Sequence, residues 1–319
     1  MSTATQPLFH EVPIEGESFD GAPPHGLARP ESTLRPLPVA MPPVATPGWR
    51  QRAWTAVRQH APAQLMGAAS LLAIVLFWHL ATTYQFDFYI RFANIPTPLE
   101  VLKKVAEVNS SPKFITNVGM SLRRIFEGFA IATALGVSLG ILIGRYRTAR
   151  HLLFPAMEVF RPIPAIAWVP ISIMLWPDNE VSIVFITFIG AFFPILMNTV
   201  SGVHAVDDVL LRAGQCLGAR ERQIMWYIVL PGAAPQIFTG LAVGMGVAWV
   251  SLIAAEMISG QFGIGYFTWE AYSLISYPEI VLGMITIGVL GLLCSGLIRL
   301  VGRAMMPWLN FGHRSGSAR

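Results

Sequence analysis

Apolar residues in this chain fall in long unbroken blocks, and polar residues are confined to the breaks between them and to the two ends. A helix needs roughly 20 mostly apolar residues to cross the hydrocarbon of a bilayer. Six stretches qualify, at about 64–83, 125–144, 152–176, 181–200, 235–258 and 280–301. The pattern predicts an all-α membrane protein, a six-helix transmembrane bundle within a domain 49–308. The third stretch is irregular. Pro155, Pro162, Pro164 and Pro170 each remove a backbone donor, so a kinked or broken helix is predicted there.

Residues 1–48 are a different material. Ten of the 24 prolines lie between Pro7 and Pro47, with no apolar period. Such a segment cannot bury enough apolar surface to offset its ordering entropy. It reads as a disordered Pro-rich cytoplasmic tail, either an inert extension or a partner-docking segment. No basic start precedes an apolar run, so it does not read as a signal peptide. Residues 309–319 read as a short cytoplasmic C-terminal tail.

Lys and Arg set the orientation, because they collect in short cytoplasmic loops. Arg50, Arg52 and Arg58 precede the first span, and Arg145, Arg147 and Arg150 follow the second. Arg212, Arg220 and Arg222 lie between the fourth and fifth, and Arg299, Arg303, Arg314 and Arg319 come at the end. Both termini are therefore expected in the cytoplasm. The loop of about 84–124 is basic yet expected outside, since long loops translocate despite positive charge. Within it, Pro98 in the first turn and Thr97 as N-cap predict a helix over 99–107. Ser121-Leu122-Arg123-Arg124 is expected as an amphipathic approach to the second span, with its arginine stems snorkelling at the interface.

Composition supports the membrane reading. The chain is 54% hydrophobic and 13% charged, against about 25% charged in soluble domains. The net charge of +4 is accounted for by topology and points to no nucleic-acid partner. Cys216 and Cys294 are too few for a disulfide framework and read as reduced. There is no phosphate-binding Gly-x-x-x-x-Gly-Lys-Ser/Thr, no paired metal-ligand motif, no Gly-x-Ser-x-Gly and no other catalytic constellation. A transport subunit without catalytic residues, cofactor or metal is expected, not an enzyme.

Several positions carry more specific expectations. Gly136, Gly140 and Gly144 on the second span, and Gly240 and Gly244 on the fifth, recur every four residues and suit close helix packing in lipid. His79 in the first span reads as a hydrogen-bonded structural residue. Asp207-Asp208 opens the polar segment after the fourth span and suits a helix N-terminus. Arg161 in Arg161-Pro162-Ile163-Pro164-Ala165-Ile166-Ala167-Trp168-Val169-Pro170 could line a path across the membrane, because an intramembrane arginine faces protein or water. It could instead pair with Glu158 at i−3. Glu256, near the outer end of the fifth span, could gate the outer mouth or pair with an arginine of the approach segment. Gly260, Gly263 and Gly265 follow it in an aromatic-rich turn.

The polar segment 202–234 contains Arg212-Ala213-Gly214, three residues, Gly218, nine residues, then Ile228-x-Leu230-Pro231. This resembles the cytoplasmic coupling-loop signature of ABC-importer permeases, Glu-Ala-Ala, three residues, Gly, nine residues, Ile-x-Leu-Pro. Arg212 stands in place of the Glu and Gly214 in place of the second Ala. The 161–170 segment, and Glu256 with its Gly-x-Gly turn, resemble the permeases of nitrate, sulfonate, taurine and bicarbonate importers. The resemblance covers about 65–308. It implies a type I importer bundle and a homodimer in the lipid of the bacterial inner membrane. Two cytoplasmic ATP-binding subunits and a periplasmic substrate-binding protein are implied as partners. It further implies a coupling role for Arg212, Ala213, Gly214, Gly218, Ile228, Leu230 and Pro231, and a translocation path near Arg161, Pro162, Pro164, Trp168 and Glu256. Gly218 would make a bend that docks on the ATPase, or simply end a surface helix. An ion-gradient-driven secondary transporter is the rival class; intramembrane carboxylate pairs and inverted repeats, which would mark it, are not evident.

Overall fold

The computed structural model describes residues 49–308, apart from 86, 89, 92–94 and 109–110. The expected tails 1–48 and 309–319 lie outside the described residues. The chain divides into two units at Gln64/Leu65. Of the first, the described part is the opening of helix α1 (Trp49–Thr83). The rest of α1 and every later element belong to the second.

Long apolar blocks become long helices. α3 (Pro112–Arg145), α6 (Asn179–His204), α9 (Leu230–Ser259) and α11 (Tyr277–Met305) are each long enough to cross the hydrocarbon of a bilayer, as is the apolar part of α1, Gln64–Thr83. The proline-rich stretch is broken. α4 (Arg147–Phe160) and α5 (Val169–Leu175) are joined through Pro162, Pro164 and a 3-10 turn at Ala165–Trp168, with an 86° bend between the two arms.

Shorter elements connect these. Strands β1 (Asp87–Phe88) and β2 (Ile90–Arg91) form a minimal antiparallel pair after α1. α2 (Pro98–Val108) starts at Thr97 with reciprocal capping. The Glu100 amide donates to Thr97 Oγ1 at 3.3 Å, and the Thr97 amide to Glu100 Oε2 at 3.0 Å. α7 (Asp208–Cys216), α8 (Glu221–Ile224) and a π-helical turn (Met225–Val229) link α6 to α9; α10 (Ile264–Ser273) links α9 to α11.

Small residues fix the register of the bundle. On α3, a Cβ added at Gly140 would lie 2.6 Å from Thr199 Cβ, and one at Gly144 2.7 Å from Val203 Cβ. Gly128 meets Thr187 and Gly136 meets Ile195 in the same way. The sequence separation is identical in all four pairs, so α3 and α6 run parallel. Between α6 and α9 one position rises as the other falls: Gly190 meets Ser251, Asn198 meets Gly240 and Ile195 meets Gly244. Those two are antiparallel. α11 is antiparallel to α9, with Gly291 against Trp249 and Gly302 against Phe238. Parallel α3 and α6 require the chain between them to return across the bundle. The broken α4–α5 pair makes that return.

α6 is the axis of the fold. Ile183, Ile186, Ala191, Ile195 and Leu196 are buried against Ile125 and Ala132 of α3 and Met245, Ala248 and Leu252 of α9. The buried hydroxyls of Thr187 and Thr199 donate to the carbonyls of Ile183 and Ile195 four residues back, at 2.8 and 2.7 Å. They therefore need no water.

Two local expectations are corrected. The segment 121–124 is no interfacial approach, because α3 is one continuous helix from Pro112. Arg124 is 1% exposed, whereas Arg123 faces outward and pairs with Glu127. The side chain of His79 is exposed and has no hydrogen bond among the described residues.

Candidate functional site

The parallel register of α3, α6 and α11 sorts their termini into two ends. Arg145, His204 and Met305 fall at one end together with α7 and α8. The other holds the starts of α3, α6 and α11 and the turn after α9.

At that second end a carboxylate sits in a closed clasp. Glu256 is 0% exposed. Its Oε1 accepts from Arg124 Nη1 at 2.9 Å and its Oε2 from the Gly265 amide at 3.0 Å. The Ser121 hydroxyl donates to the same carboxylate, 2.8 Å from Oε1, and accepts from the Ile264 amide at 2.9 Å. Arg124 also donates to the Phe262 carbonyl at 2.6 Å and, through Nε at 2.9 Å and through Nη2, to Glu180 at the start of α6. The Gly263 amide donates to Asn117 Oδ1 at 3.0 Å. Gly263 has φ +122°, and a Cβ there would overlap the Glu256 carboxylate. Glycine is required both by conformation and by space. The clasp joins α3, α6, α9 and α10. Glu256 therefore pairs with an arginine of the segment 121–124, the second of its two expected readings; that arginine is Arg124, and the segment lies inside α3.

The loop end is built differently. Asp207 caps α7, its Oδ1 accepting from the Val209 amide at 2.8 Å. At the other terminus the Ala219 amide reaches the Gly214 carbonyl at 3.0 Å and the Gly218 amide the Gln215 carbonyl at 2.9 Å. With Gly218 at φ +77°, this is a Schellman termination, so Gly218 does end a surface helix. It also turns the chain directly into α8. Gly214 is buried, and a Cβ there would come 2.9 Å from Ile228 Cδ1; the absent side chain lets α7 close on the segment before Leu230 and Pro231. Arg145 Nη2 binds Glu221 Oε1 at 2.6 Å and ties α8 to the end of α3. Ala213 and Arg212 are exposed, and Arg212 makes no ion pair among the described residues. A cleft of about 310 Å³ lies between Leu217, Gly218, Gln223, Tyr227 and Ile228.

The third feature is a cavity of about 370 Å³ lined by Arg161, Pro164, Gly190, Phe193, Asn198 and Val247, among others. Its walls are apolar apart from Arg161, Asn198 and backbone. Arg161 Nη1 is 3.2 Å from Glu158 Oε1, and both side chains are about half exposed. Pairing and lining thus hold together. Pro194 has no amide to offer the Gly190 carbonyl, and Asn198 Nδ2 caps the Pro194 carbonyl at 2.8 Å.

Not all expected path residues meet here. Arg161 and Pro164 line the cavity; Pro162 is exposed beside it and Trp168 packs on Phe160, ring centroids 6.0 Å apart. Glu256 is enclosed at the far end of α9, not on the cavity wall, because the Gly263–Gly265 turn seals it. Sequence reasoning narrowed the partner of Glu256 to the arginines of 121–124 without choosing between Arg123 and Arg124, and it gave no site role to Ser121, Asn117, Glu180 or Asn198. A usable signal existed: Ser121 and Arg124 are three apart and share one face, turned by roughly 110° from the face of the Arg123–Glu127 pair.

Residues 135–311 match the model of the binding-protein-dependent transport system inner membrane component family. The chain belongs to this family. It is the membrane permease subunit of an ABC importer, a transport component that works with separate ATP-binding subunits and a binding protein. The nitrate import permease protein NrtB of Synechocystis is 32% identical over 257 residues, covering 78% of this chain and 91% of that protein. The taurine transport system permease protein TauC of Escherichia coli is 30% identical over 248 residues, covering 76% and 89%. A solved amino acid ABC transporter chain shares the fold, with TM-score 0.51 and 20% identity over 63% of this chain and 97% of that one. The rival class, a gradient-driven secondary transporter, is set aside by this membership.

Proposed function

We propose that this permease carries a small oxyanion of the nitrate, sulfonate/taurine or bicarbonate class. The observation that carries this reading is the cavity: one guanidinium, Arg161, and the Asn198 amide at an otherwise apolar wall made by the 161–165 break, α6 and α9. An apolar surround raises the attraction of that charge for an anion. The nitrate and taurine permeases among its relatives fit the same chemistry.

The permease acts as a homodimer in the bacterial inner membrane. Only 11% of the apolar window of α1 and 17% of that of α11 are buried, which leaves broad faces for lipid and for a second copy. Both termini are cytoplasmic, since Arg145, Arg147, Arg150, Arg212, Arg220, Arg222 and Arg303 gather at the loop end. There the segment 202–234 takes up the movement of the ATPases. Helical structure continues without a break from Glu221 to Ser259, so a displacement of α8 reaches the clasp end as motion of one rod.

The test is uptake into proteoliposomes holding the full complex, supplied with binding protein and labelled nitrate, taurine or bicarbonate. Arg161→Ala should slow ATP-dependent uptake and leave the complex assembled. A cationic or neutral hydrophobic ligand in the cognate binding protein refutes the oxyanion class. Cysteines at Asn179 and Ser273 should react with an impermeant reagent added outside intact cells, and one at Gln223 should not; the reverse labelling refutes the orientation.

A further inference from the structure

The coupling loop sets three arginines against three carboxylates, and the two sets differ in how they are engaged. Its carboxylates are mostly engaged. Asp207 is spent on the α7 cap and Glu221 on Arg145, while Asp208 sits in the first turn of α7, where the helix dipole favours it. Arg212, Arg220 and Arg222 are exposed and form no ion pair among the described residues. Two apolar side chains of the same loop are open: Leu217 is 88% exposed and Tyr227 79%. Both line the cleft of about 310 Å³, with Gly218 and Ile228 as its other wall. Large apolar side chains bared beside a pocket mark a protein contact, and the three unpaired arginines give that contact a sign.

We infer that the ATPase partner of this permease offers a carboxylate-bearing surface that sets an apolar side chain into the Leu217–Tyr227 cleft and its acidic groups against Arg212, Arg220 and Arg222. This rests on the reading of 202–234 as the ATPase-coupling loop and adds the polarity of the contact. Arg212 stands where the resembling signature has an acidic residue, so an ATPase whose docking surface is basic at that point would be rejected. Like charges brought together in a contact are costly. The arginines thus select the cognate ATPase.

Attachment of the ATPase to the permease, purified together in zwitterionic nanodiscs, should fall as KCl rises, because the Debye length shrinks from about 10 Å at 0.1 M to about 3 Å at 1 M. Arg212→Glu with Arg222→Glu should weaken attachment roughly tenfold or more at low salt and flatten the salt dependence. Arg212→Lys with Arg222→Lys should keep both. Lysine in place of the facing carboxylates of the ATPase should restore attachment to the Glu variant. Leu217→Asp separates the two levels. If Leu217→Asp abolishes attachment while the charge reversals leave it unchanged at every salt concentration, the loop docks but the polarity assigned to it is wrong. If neither change affects attachment, the coupling reading fails with it. An effect of the reversals that appears only in nanodiscs of anionic lipid assigns the arginines to headgroups and overturns the inference.

Discussion

Replacing Arg124 by Met tests the clasp at the point where its geometry makes the strongest claim. The change removes the donors to Glu256, to the Phe262 carbonyl and to Glu180. The two carboxylates then differ. Glu180 is 42% exposed and regains water, whereas Glu256 is 0% exposed and cannot. Summing four charge-assisted bonds at about 1.5–3 kcal/mol each would overstate the loss, since the Glu180 pair is largely solvated. The dominant cost is one buried carboxylate left without its counter-charge, about 3–5 kcal/mol. Ser121 and the Gly265 amide remain to it and place the expectation at the lower end of that range. Glu256→Gln should cost less, about 1–3 kcal/mol, because Arg124 keeps Glu180 and the Phe262 carbonyl. Adding Glu256→Met to Arg124→Met should recover part of the loss, since no buried charge then remains, while the Gly265 amide and the Ser121 hydroxyl, left without their acceptor, limit the gain. Reversible unfolding in mixed micelles, followed by tryptophan fluorescence, reads all four proteins. Equal stability of Arg124→Met and the double variant, or a loss below about 1 kcal/mol for Arg124→Met, refutes the buried-charge argument.

The remaining predictions concern packing and the loop. Gly140→Val should push α3 from α6 at Thr199 and cost about 1–3 kcal/mol by overpacking, whereas Gly246→Ala, with nothing within 4 Å, should cost nothing and gain up to about 1 kcal/mol in the same unfolding assay. Gly218→Val forces a branched residue into φ +77° at a local cost of about 1–2 kcal/mol. The permease should still insert and dimerise, while stimulation of ATP hydrolysis by loaded binding protein is lost; wild-type stimulation would contradict a coupling role for the turn. Asn117→Ala should free the Gly263 amide and speed hydrogen exchange across 260–265, with little change elsewhere in the bundle.

The helical fold was legible because its cause is local. α6 is apolar over nearly all of its 26 residues, and no soluble fold needs such a block. The break at 161–164 was equally legible, since proline acts on its own backbone. Pairings between helices were not. Arg123 and Arg124 are identical in type and adjacent, and only the phase of α3 sends one to solvent and the other to Glu256. The glycines on α3 announced close approach, but nothing in the chain names Thr187, Ile195, Thr199 and Val203 as their partners until both helices stand side by side. The cavity was half legible. Arg161 is conspicuous as a charge, whereas Asn198 and Gly190 look ordinary and matter through Pro194, which frees a carbonyl beside them.

The π turn at Met225–Val229 has a consequence for how this loop can vary. Its closing bond runs from the Leu230 amide to the Met225 carbonyl, one residue more per turn than an α-helix. Such a turn is what a single inserted residue leaves behind when the flanking helix keeps its phase. Removing one residue from 225–229 would let the segment relax into a regular helix. Everything before it would then swing by about 100° about the helix axis relative to everything after. The Gly214–Ile228 contact and the Arg145–Glu221 pair could not both survive that rotation. Length in this stretch is therefore constrained more tightly than composition: homologous loops should exchange side chains freely at Trp226 yet tolerate no net gain or loss of a residue.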